Sequence, residues 1–461
     1  MNANQQRLVS LGIEIPEIIL PGNIDLQKWA VIACDQFTQD RDYWEKVKST
    51  VDDAPSTLNL IFPEVFLPDG GKELRITGIH QTMERYLNGG IFTAPRRGCV
   101  YLERDTPFQK RRRGLVAAVD LEQYNWAPAA RPLIRSTEGT VAERLPPRMD
   151  IRRGAPLETP HILLLIDDDT DSLLPALGER AKKTPPVYQT GLMLDSGKVS
   201  GWFLDAKDDL AFLAAQLEEL SRRALTRYLP AGVAANADAG TDEKPFLFAV
   251  GDGNHSLATA RGIWEEYKKS CGEVSGLPEH PCRYALVEIE NIYDPAIRFE
   301  PIHRVVFGMD FDEVLSLLAE LPDFSSCPLT DRAELVRLLG ETAAGTRMGI
   351  AAGSRYALIE TSAPGLATVS LQPLLDRCLE SASHSGGRRD ESLSIDYIHG
   401  EEELFRLAAV PGRRAVGILL PPVQKAGLFE TVARSGPLPR KSFSMGEAVE
   451  KRFYLECRKL F

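Results

Sequence analysis

Apolar runs of strand length alternate along the chain with segments whose apolar residues recur at helical spacing. The runs that predict strands before residue 170 are 29–34, 99–103, 114–120 and 161–167. Residues 188–194 and 199–204 flank Asp195-Ser196-Gly197-Lys198, which is typical of a hairpin turn. Because hairpins interrupt the alternation of strands and helices, we expect an α/β or α+β fold with a mixed sheet.

One long amphipathic helix stands out within this pattern. Its apolar stripe consists of Leu210, Leu213, Leu217, Leu220 and Ala224. The spacing of three and four residues puts them on one face, which we interpret as a core-facing side rather than a functional one.

Two further strands, 284–290 and 298–307, close this first series before the pattern changes near residue 310. We therefore predict a main α/β domain over 1–309 and a smaller α/β region over 310–461 that packs on it. Two segments are glycine-containing and polar: 231–242 predicts an exposed loop, and 381–388 is flexible by composition.

Composition narrows the class of protein. The chain has 461 residues, 43% of them apolar and 26% charged, which is ordinary for a globular protein. Its net charge of −11 argues against a general nucleic-acid binder. The seven cysteines form no Cys-x-x-Cys pair, which favours a reducing cytoplasm. We see no signal peptide and no run of ~18 apolar residues, so we expect a cytoplasmic protein without a membrane span.

The most informative segment joins a predicted strand at 246–249 to a helix. It reads Val250-Gly251-Asp252-Gly253-Asn254-His255-Ser256-Leu257-Ala258. The glycines permit positive φ and close backbone approach, and the helix start offers free N–H groups to an anion. Asp252 can hold a divalent cation or accept a proton, and His255 can contact phosphate or act as an acid or base. The alternative is that Asp252 and Asn254 only shape the turn and Ser256 caps the helix.

A second cluster, Ile134-Arg135-Ser136-Thr137-Glu138-Gly139-Thr140, combines a cation, hydroxyls and a carboxylate. Thr137 and the loop amides could cradle a phosphate, and Glu138 could orient a metal or serve as a base. A plain turn is the alternative.

Two clusters lie further along the chain. In Glu300-Pro301-Ile302-His303-Arg304, the arginine suits a phosphate fork, while strand alternation puts His303 on the opposite face. The alternative for Arg304 is a buried ion pair with Glu288 or Glu290. In Pro439-Arg440-Lys441-Ser442, Lys441 could bind an anion or belong to a solvated loop.

Other charged runs have simpler interpretations. The basic run 110–113 predicts a solvated loop, and Asp167-Asp168-Asp169 predicts acidic helix capping. The chain contains no Walker A loop, no Gly-x-Gly-x-x-Gly, no Gly-x-Ser-x-Gly elbow and no His-Glu-x-x-His.

These four ordered motifs resemble those of the bacterial and archaeal domain-of-unknown-function family numbered 1015, over nearly the whole chain. The Asp-Gly-Asn-His turn opening a helix is also similar to the phosphate-binding element of the ParB/sulfiredoxin-like superfamily. That resemblance implies binding of ATP, ADP or CTP, with Gly253, Asn254 and His255 on the phosphates and Asp252 at the transferring group. Ser256 stands where the superfamily usually has arginine, and Arg304 or Lys441 could supply that charge.

We therefore hypothesise a nucleotide-dependent phosphotransferase acting on a small hydroxyl-bearing metabolite such as serine, using ATP or ADP and Mg²⁺. The expected catalytic residues are Asp252, His255, Glu138 and Arg304, with Asp252 also holding the metal. The expected nucleotide-binding residues are Gly251, Gly253, Asn254, His255, Ser256, Thr137 and Lys441. A non-catalytic nucleotide sensor and a phosphate-ester or nucleotide hydrolase are the alternatives, and the sequence leaves a homodimer open.

Overall fold

The computed structural model describes residues 3–228, 244–271, 279–341, 343, 345–363, 365–384 and 393–461. The predicted loop at 231–242 lies outside these residues, as does 385–388 of the predicted flexible segment. Residues 381–384 form the end of a helix instead. The chain divides into two compact units, the first comprising Met1–Ile297 and Gly446–Phe461 and the second Arg298–Met445.

Helices and strands alternate through both units. The α-helices are α1 (Ala3–Ser10), α2 (Leu26–Trp29), α3 (Arg41–Val51), α4 (Lys72–Asn88), α5 (Leu145–Arg152), α6 (Leu173–Ala181), α7 (Lys207–Tyr228), α8 (Asn254–Cys271), α9 (Phe311–Leu318), α10 (Arg332–Leu339), α11 (Ala367–His384), α12 (Glu401–Ala408) and α13 (Lys425–Ser435). Short 3₁₀-helices cover Thr57–Leu60, Glu64–Phe66, Leu121–Gln123, Ala142–Arg144, Pro281–Arg283 and Ala448–Glu450. None of the helices in the described ranges combines the length and apolar composition of a membrane span.

The strands are more numerous than the sequence predicted, because many are short. They are β1 (Ile13–Glu14), β2 (Glu17–Ile18), β3 (Arg96–Arg97), β4 (Cys99–Asp105), β5 (Arg112–Asp120), β6 (Tyr124–Asn125), β7 (Ile134–Ser136), β8 (Leu157–Glu158), β9 (Leu163–Ile166), β10 (Tyr188–Gly191), β11 (Lys198–Leu204), β12 (Phe248–Asp252), β13 (Tyr284–Asn291), β14 (Phe299–Phe307), β15 (Ser325–Leu329), β16 (Thr346–Ala352), β17 (Arg355–Thr361), β18 (Ser394–His399), β19 (Ala415–Leu419), β20 (Phe443–Met445) and β21 (Arg458–Lys459).

The first unit is built on a ten-stranded sheet in the order β10-β11-β4-β5-β13-β9-β12-β7-β6, with β1 paired to β5. Strand β12 runs parallel to β7 and antiparallel to β9, and β9 runs parallel to β13. The remaining pairs across the centre of the sheet, including β13 with β5, are antiparallel. The predicted mixed-sheet α/β class is therefore confirmed.

Both faces of this sheet are covered by apolar clusters. One cluster joins the sheet to α1, α6, α7 and α8, and it contains the four leucines of the predicted stripe of α7, from Leu210 to Leu220. Ala224, the last residue of the stripe, is also buried. The other contains α3, α4 and residues 453–457 of the C-terminal segment. Strand β9, with the sequence Leu-Leu-Leu-Ile, is buried throughout because it lies between these two layers.

The segment 29–34, which the sequence predicted to be a strand, pairs through only one isolated bridge, between Ile32 and Phe453. Its first residue, Trp29, ends α2 instead. The apolar run is buried because it packs under the C-terminal segment, and burial of this kind produces the same sequence pattern as a strand.

Strand β13 is buried at all eight positions although it carries two glutamates. Arg112 Nε lies 2.8 Å from Glu290 Oε1, and Arg452 forms an ion pair with both Glu288 and Glu456. Burial, opposed by Arg112 and reinforced by Glu288, raises the pKa of Glu290. We refer to these five residues as the buried ion cluster.

The basic run 110–113 is only in part the solvated loop that the sequence predicted, since Lys110 and Arg111 are exposed before β5 but the next two residues belong to the strand. Arg112 begins β5 and is buried, and its Nη1 donates to the carbonyl oxygen of Glu450 at 2.7 Å. Arg113 Nη1 contacts Asp171 at 3.1 Å. Glu290 on β13 and Asp171, between β9 and α6, provide counter-charges that the composition of the run alone does not reveal.

The second unit has an antiparallel sheet in the order β15-β17-β16-β19-β14-β18, with β20 also paired to β14. Helices α9 and α11 pack on one apolar cluster, and α10 and α12 pack on another. The sequence placed a boundary after residue 309, but β14 at 299–307 pairs entirely within the second unit. The predicted C-terminal region also extended to residue 461, whereas residues 446–461 belong to the first unit.

We predict that Arg452→Met destabilises the protein by about 3–5 kcal/mol, because Glu288 and Glu456 would remain as buried carboxylates without their counter-ion. The measurement is the free energy of unfolding in urea. Arg434→Met is the control, since Arg434 forms an exposed pair with Glu430 and its loss should cost about 0.5 kcal/mol or less. Equal effects of the two substitutions would contradict the importance of the buried ion cluster.

Candidate functional site

The predicted Asp-Gly-Asn-His turn is a strand-to-helix connection of one residue. Strand β12 ends at Asp252, Gly253 adopts φ +80°, and α8 begins at Asn254. A Cβ atom at Gly253 would lie 3.1 Å from Ile162 Cα, so backbone conformation and close packing both favour glycine here. The amides of the first turn of α8 have no acceptor within the helix, and they lie at the positive end of its dipole.

The hydroxyl-rich turn after β7 lies beside the start of α8, because β7 is the parallel neighbour of β12. Ser136 Oγ donates to Asn254 Oδ1 at 2.6 Å, and Thr137 Oγ1 donates to the carbonyl oxygen of Val250 at 2.5 Å. Asn254 and Thr137 are buried, whereas Glu138 is half-buried. Because the hydroxyl group of Thr137 donates its proton to Val250 on β12, this side chain holds the turn against the strand.

A lysine that the sequence analysis did not single out is adjacent to the motif carboxylate. Lys451 Nζ lies 3.4 Å from Asp252 Oδ2, and the two side chains are 9% and 22% exposed. Lys451 follows the 3₁₀-helix of the C-terminal segment, more than a hundred residues after the motif. No local signal in the sequence links it to Asp252, because the contact depends on how the C-terminal segment packs in the first unit.

A histidine interacts with the predicted helix-capping serine. His161 Nε2 lies 2.7 Å from Ser256 Oγ, and its Nδ1 lies 2.9 Å from Tyr454 Oη. Asp35 Oδ2 is 3.8 Å from the same Nε2. Ser256 is therefore hydrogen-bonded to His161, which lies just before β9. The only indication of this contact in the sequence is the Pro160-His161 pair in front of an apolar run.

Carboxylates add to this polar region. Burial, opposed by Arg148 and reinforced by Asp35, raises the pKa of Glu64. The backbone of Glu64 donates to the carbonyl oxygen of Cys34 at 2.8 Å, next to Asp35. A carboxyl group with a raised pKa beside a histidine is a candidate for proton transfer.

His255 is turned toward the loop that follows the hydroxyl-rich turn. The backbone N–H of Val141 donates to His255 Nε2 at 3.3 Å. The imidazole therefore helps to hold residues 136–141 against α8, in addition to any contact it makes with a ligand.

The predicted metal site contains a single carboxylate. Among the described residues, no group of three or more His, Cys, Asp or Glu side chains is arranged to hold a metal ion. Asp252 therefore fits Mg²⁺ only in the way common for nucleotide enzymes, in which phosphate oxygens and water complete the coordination.

The acidic run 167–169 has a structural role, as expected: Asp168 accepts from the backbone of Ser172 and Leu173 at the start of α6.

Arg304 and Lys441, the two cations predicted to complete the site, belong to the second unit. Arg304 is 0% exposed, its Nε donates to Gln372 Oε1 at 3.0 Å, and its guanidinium lies over the ring of Tyr397. The predicted role requires an accessible guanidinium, which burial and these contacts do not provide. The alternative ion pair with Glu288 or Glu290 is also wrong, since those carboxylates pair within the first unit.

His303, which precedes Arg304 in the same motif, is also buried. The backbone N–H of Leu420 donates to His303 Nδ1 at 3.0 Å. Burial, together with Arg304 and His399, lowers the pKa of His303 to about 4.

Lys441 is exposed, with φ +59°. The structure thus brings together the clusters at 136–138 and 252–256, within the first unit.

The first unit is therefore a mixed α/β domain in which a glycine turn, a helix start and a carboxylate–lysine pair meet at one end of a strand. The chain belongs to the family described as "Protein of unknown function (DUF1015)", which matches residues 22–378. No curated protein matches the chain in sequence.

Solved structures show weak similarity. A free serine kinase in complex with AMP is 13% identical with a TM-score of 0.36, over 75% of this chain and 92% of the kinase. A conserved hypothetical protein from Pyrococcus furiosus is 12% identical with a TM-score of 0.34, over 75% and 95%. SbnI from Staphylococcus aureus, truncated at its C-terminus, is 10% identical with a TM-score of 0.33, over 72% and 82%. At these scores the similarities carry no functional argument.

We predict that Gly253→Ala lowers the free energy of unfolding by about 1–3 kcal/mol, since alanine is strained at positive φ and its Cβ would press on Ile162. Urea unfolding measures the change. Gly78→Ala is the matched control: Gly78 lies inside α4, and a Cβ atom there would meet no other atom within 4 Å. Alanine at that position should stabilise the helix by about 0.5–1 kcal/mol. A neutral Gly253→Ala would show that the turn tolerates a side chain.

His303 should make stability depend on pH. Its folded-state pKa of about 4 lies below the ordinary value of 6.5, so the unfolded chain binds the proton more readily between these values. The stability associated with neutral His303 is complete above pH 6.5 and is lost as the pH falls toward 4, by up to about 3 kcal/mol. We expect His303→Gln to flatten urea unfolding free energies measured across this range. An unchanged slope would contradict the assignment.

Proposed function

We propose that the protein is a nucleotide-dependent phosphotransferase that acts on a small hydroxyl-bearing metabolite, with free serine as the first candidate. The observation that carries the proposal is the Asp252–Lys451 pair at the open start of α8. A helix start can hold phosphate, a carboxylate can orient the attacking hydroxyl group or a metal, and a lysine can neutralise charge on the transferred group.

In this proposal the phosphates lie against the backbone from Gly251 to Ser256, including the amides of Gly253, Asn254 and His255. Asp252 accepts a proton from the substrate hydroxyl or orients it, with Glu138 as the alternative base. Mg²⁺, when bound at Asp252, would supply charge neutralisation on the phosphate oxygens.

Lys451 takes the cationic role that the sequence analysis assigned to Arg304 or Lys441. It has the charge and the proximity that the role requires, and it is mostly buried, which strengthens its interaction with a phosphate. The similarity to the ParB/sulfiredoxin-like superfamily, a cytoplasmic location and a homodimer remain predictions.

The enzymatic test combines nucleotide binding with turnover. Wild-type protein should show a thermal shift with ATP or ADP and Mg²⁺, and it should transfer phosphate to serine. Absence of a shift with ATP, ADP and CTP would overturn the proposal. Binding without turnover on serine and related hydroxyl compounds would favour a sensor, and phosphate release from esters without nucleotide would favour a hydrolase.

We predict that Asp252→Asn lowers kcat by about 10²–10⁴-fold while changing nucleotide affinity less, because the amide neither accepts the proton nor holds the metal as a carboxylate does. Lys451→Met should weaken nucleotide affinity about tenfold through the loss of one charge-assisted contact. Steady-state kinetics and calorimetry measure the two effects. Glu430→Gln, on the exposed surface of α13, is the control and should leave both unchanged.

A further inference from the structure

Ser256 and His161 form a hydrogen-bonded pair whose side chains the proposed function does not use. His161 Nε2 lies 2.7 Å from Ser256 Oγ. A serine hydroxyl is a weak nucleophile until a base takes its proton, and enzymes activate it with a base at hydrogen-bond distance. Ser256 is half-buried and the His161 side chain is 13% exposed, so both retain contact with solvent near the start of α8. The pair therefore has the composition and the spacing of an activated nucleophile.

Two further side chains hold the imidazole of His161 in place. Tyr454 Oη lies 2.9 Å from Nδ1, and the two rings meet edge to face at a centroid distance of 5.5 Å. Tyr454 is buried, and its Oη accepts from the backbone N–H of Cys34 at 3.1 Å. When Nδ1 carries the ring proton and donates it to Tyr454, the lone pair of Nε2 faces Ser256. Asp35 Oδ2, 3.8 Å from Nε2, would stabilise the imidazolium formed when Ser256 loses its proton.

This set of partners distinguishes His161 from other histidines of the chain. A ring nitrogen contacts a backbone group in His80, His255, His280 and His303. Such contacts hold segments of the chain together. Both ring nitrogens of His161 instead contact side-chain hydroxyl groups, and a hydroxyl group can pass its proton to the imidazole. The surroundings of His161 thus suit proton transfer as well as packing.

The hydroxyl of Ser256 lies where the proposed site holds phosphate. The hydrogen bonds of α8 begin with the backbone N–H of Leu257, which donates to the carbonyl oxygen of Gly253 at 3.0 Å. The amides of Asn254, His255 and Ser256 therefore precede the helical ladder and are directed out of the helix start. A phosphate held by these amides lies next to Ser256 Oγ, because the same residue supplies an amide and the hydroxyl.

The charges beside this hydroxyl suit a phosphoryl group in transfer. Asp252 immediately precedes Gly253, and Lys451 Nζ lies 3.4 Å from Asp252 Oδ2. A cation in a mostly buried setting neutralises negative charge on the phosphoryl oxygens more strongly than it would in water. Ser256 provides the nucleophile, His161 the base and Lys451 the charge, so the requirements of a phosphoryl acceptor meet within the first unit.

We propose that Ser256 accepts a phosphoryl group from a nucleoside triphosphate and carries it as a covalent intermediate. Ser256 Oγ attacks the γ-phosphorus while its proton passes to His161 Nε2. The new Oγ–P bond replaces the bond from the γ-phosphorus to the β,γ-bridging oxygen, which leaves with the nucleoside diphosphate.

In the second half of the reaction, the hydroxyl group of the metabolite attacks the phosphoserine. The Oγ–P bond breaks, Ser256 Oγ recovers its proton from His161, and Asp252 accepts the proton of the hydroxyl group and releases it to solvent. The phosphoserine rests on the proposed function for the position of the nucleotide, and it adds the residue through which the phosphoryl group passes.

The test requires nucleotide and Mg²⁺ but no acceptor. Full-length protein incubated with ATP radiolabelled in its γ-phosphate should take up label that remains on the protein in acid. Fragmentation in a mass spectrometer should locate the phosphate at Ser256. The protein should also exchange label between ADP and ATP without an acceptor, since ADP reverses the formation of phosphoserine.

Two variants separate the nucleophile from the base. Ser256→Ala should lose both labelling and exchange. His161→Gln should slow both by about 10²–10⁴-fold, because glutamine can hydrogen-bond to the hydroxyl but cannot take its proton. Both variants should bind the β,γ-imido analogue of ATP nearly as wild type does in calorimetry, because the backbone amides at the start of α8 hold the phosphates. Retained binding shows that the variants are folded.

Each variant has a matched control elsewhere in the first unit. Ser270 lies at the far end of α8, and its Oγ donates to the carbonyl oxygen of Tyr267 at 2.9 Å. His80 lies on α4 and contacts the carbonyl oxygen of Ile151. Ser270→Ala and His80→Gln should take up label at the wild-type rate.

The outcomes distinguish failure of the phosphoserine from failure of the nucleotide site. Nucleotide binding by wild type without labelling, label at another residue, unchanged labelling in Ser256→Ala or His161→Gln, or an equal loss in the controls would each overturn the phosphoserine and leave the proposed nucleotide site standing. Absence of nucleotide binding by the wild type would overturn both.

Discussion

The first unit depends on one electrostatic requirement: the glutamates within its central strand must meet arginines inside the core. Strand β13 is buried along its whole length, so Glu288 and Glu290 have no access to water. Arg112 reaches Glu290 from the neighbouring strand, but Arg452, the partner of Glu288, comes from the C-terminal segment. Isolated buried carboxylates are strongly unfavourable, so the sheet and the C-terminal segment must form together.

The same segment builds the candidate site as it passes through the core. Arg452 points into the buried ion cluster, Lys451 contacts Asp252, and Tyr454 contacts His161. Because these residues are nearly consecutive, the position of one fixes the others. The packing of Arg452 against Glu288 therefore also determines the position of Lys451 beside Asp252. A substitution in the buried ion cluster would shift Lys451 and so change the charge distribution at the glycine turn.

The sequence predicted the mixed sheet, the core-facing stripe of α7 and the glycine turn, because each depends on residues close together in the chain. Gly253 could be recognised since its neighbours already define a strand and a helix. Lys451 could not, because its contact joins distant segments. The predictions for Arg112 and Arg304 were wrong for a related reason. From local composition alone, a cation is expected to be exposed. Both arginines are buried because the fold brings a polar partner to each, Glu290 on β13 for Arg112 and Gln372 on α11 for Arg304.

The discontinuity of the first unit has a consequence for synthesis on the ribosome. Glu288 and Arg452 are separated by 164 positions, and the whole second unit is encoded between them. At about 5–20 residues per second, the nascent sheet waits roughly 8–30 s for its arginine. During that interval the second unit emerges complete, while Glu288 in the first unit lacks the arginine that neutralises it. The order of the chain thus separates the folding of the two units in time, and the Asp252 turn gains its lysine only in the last step.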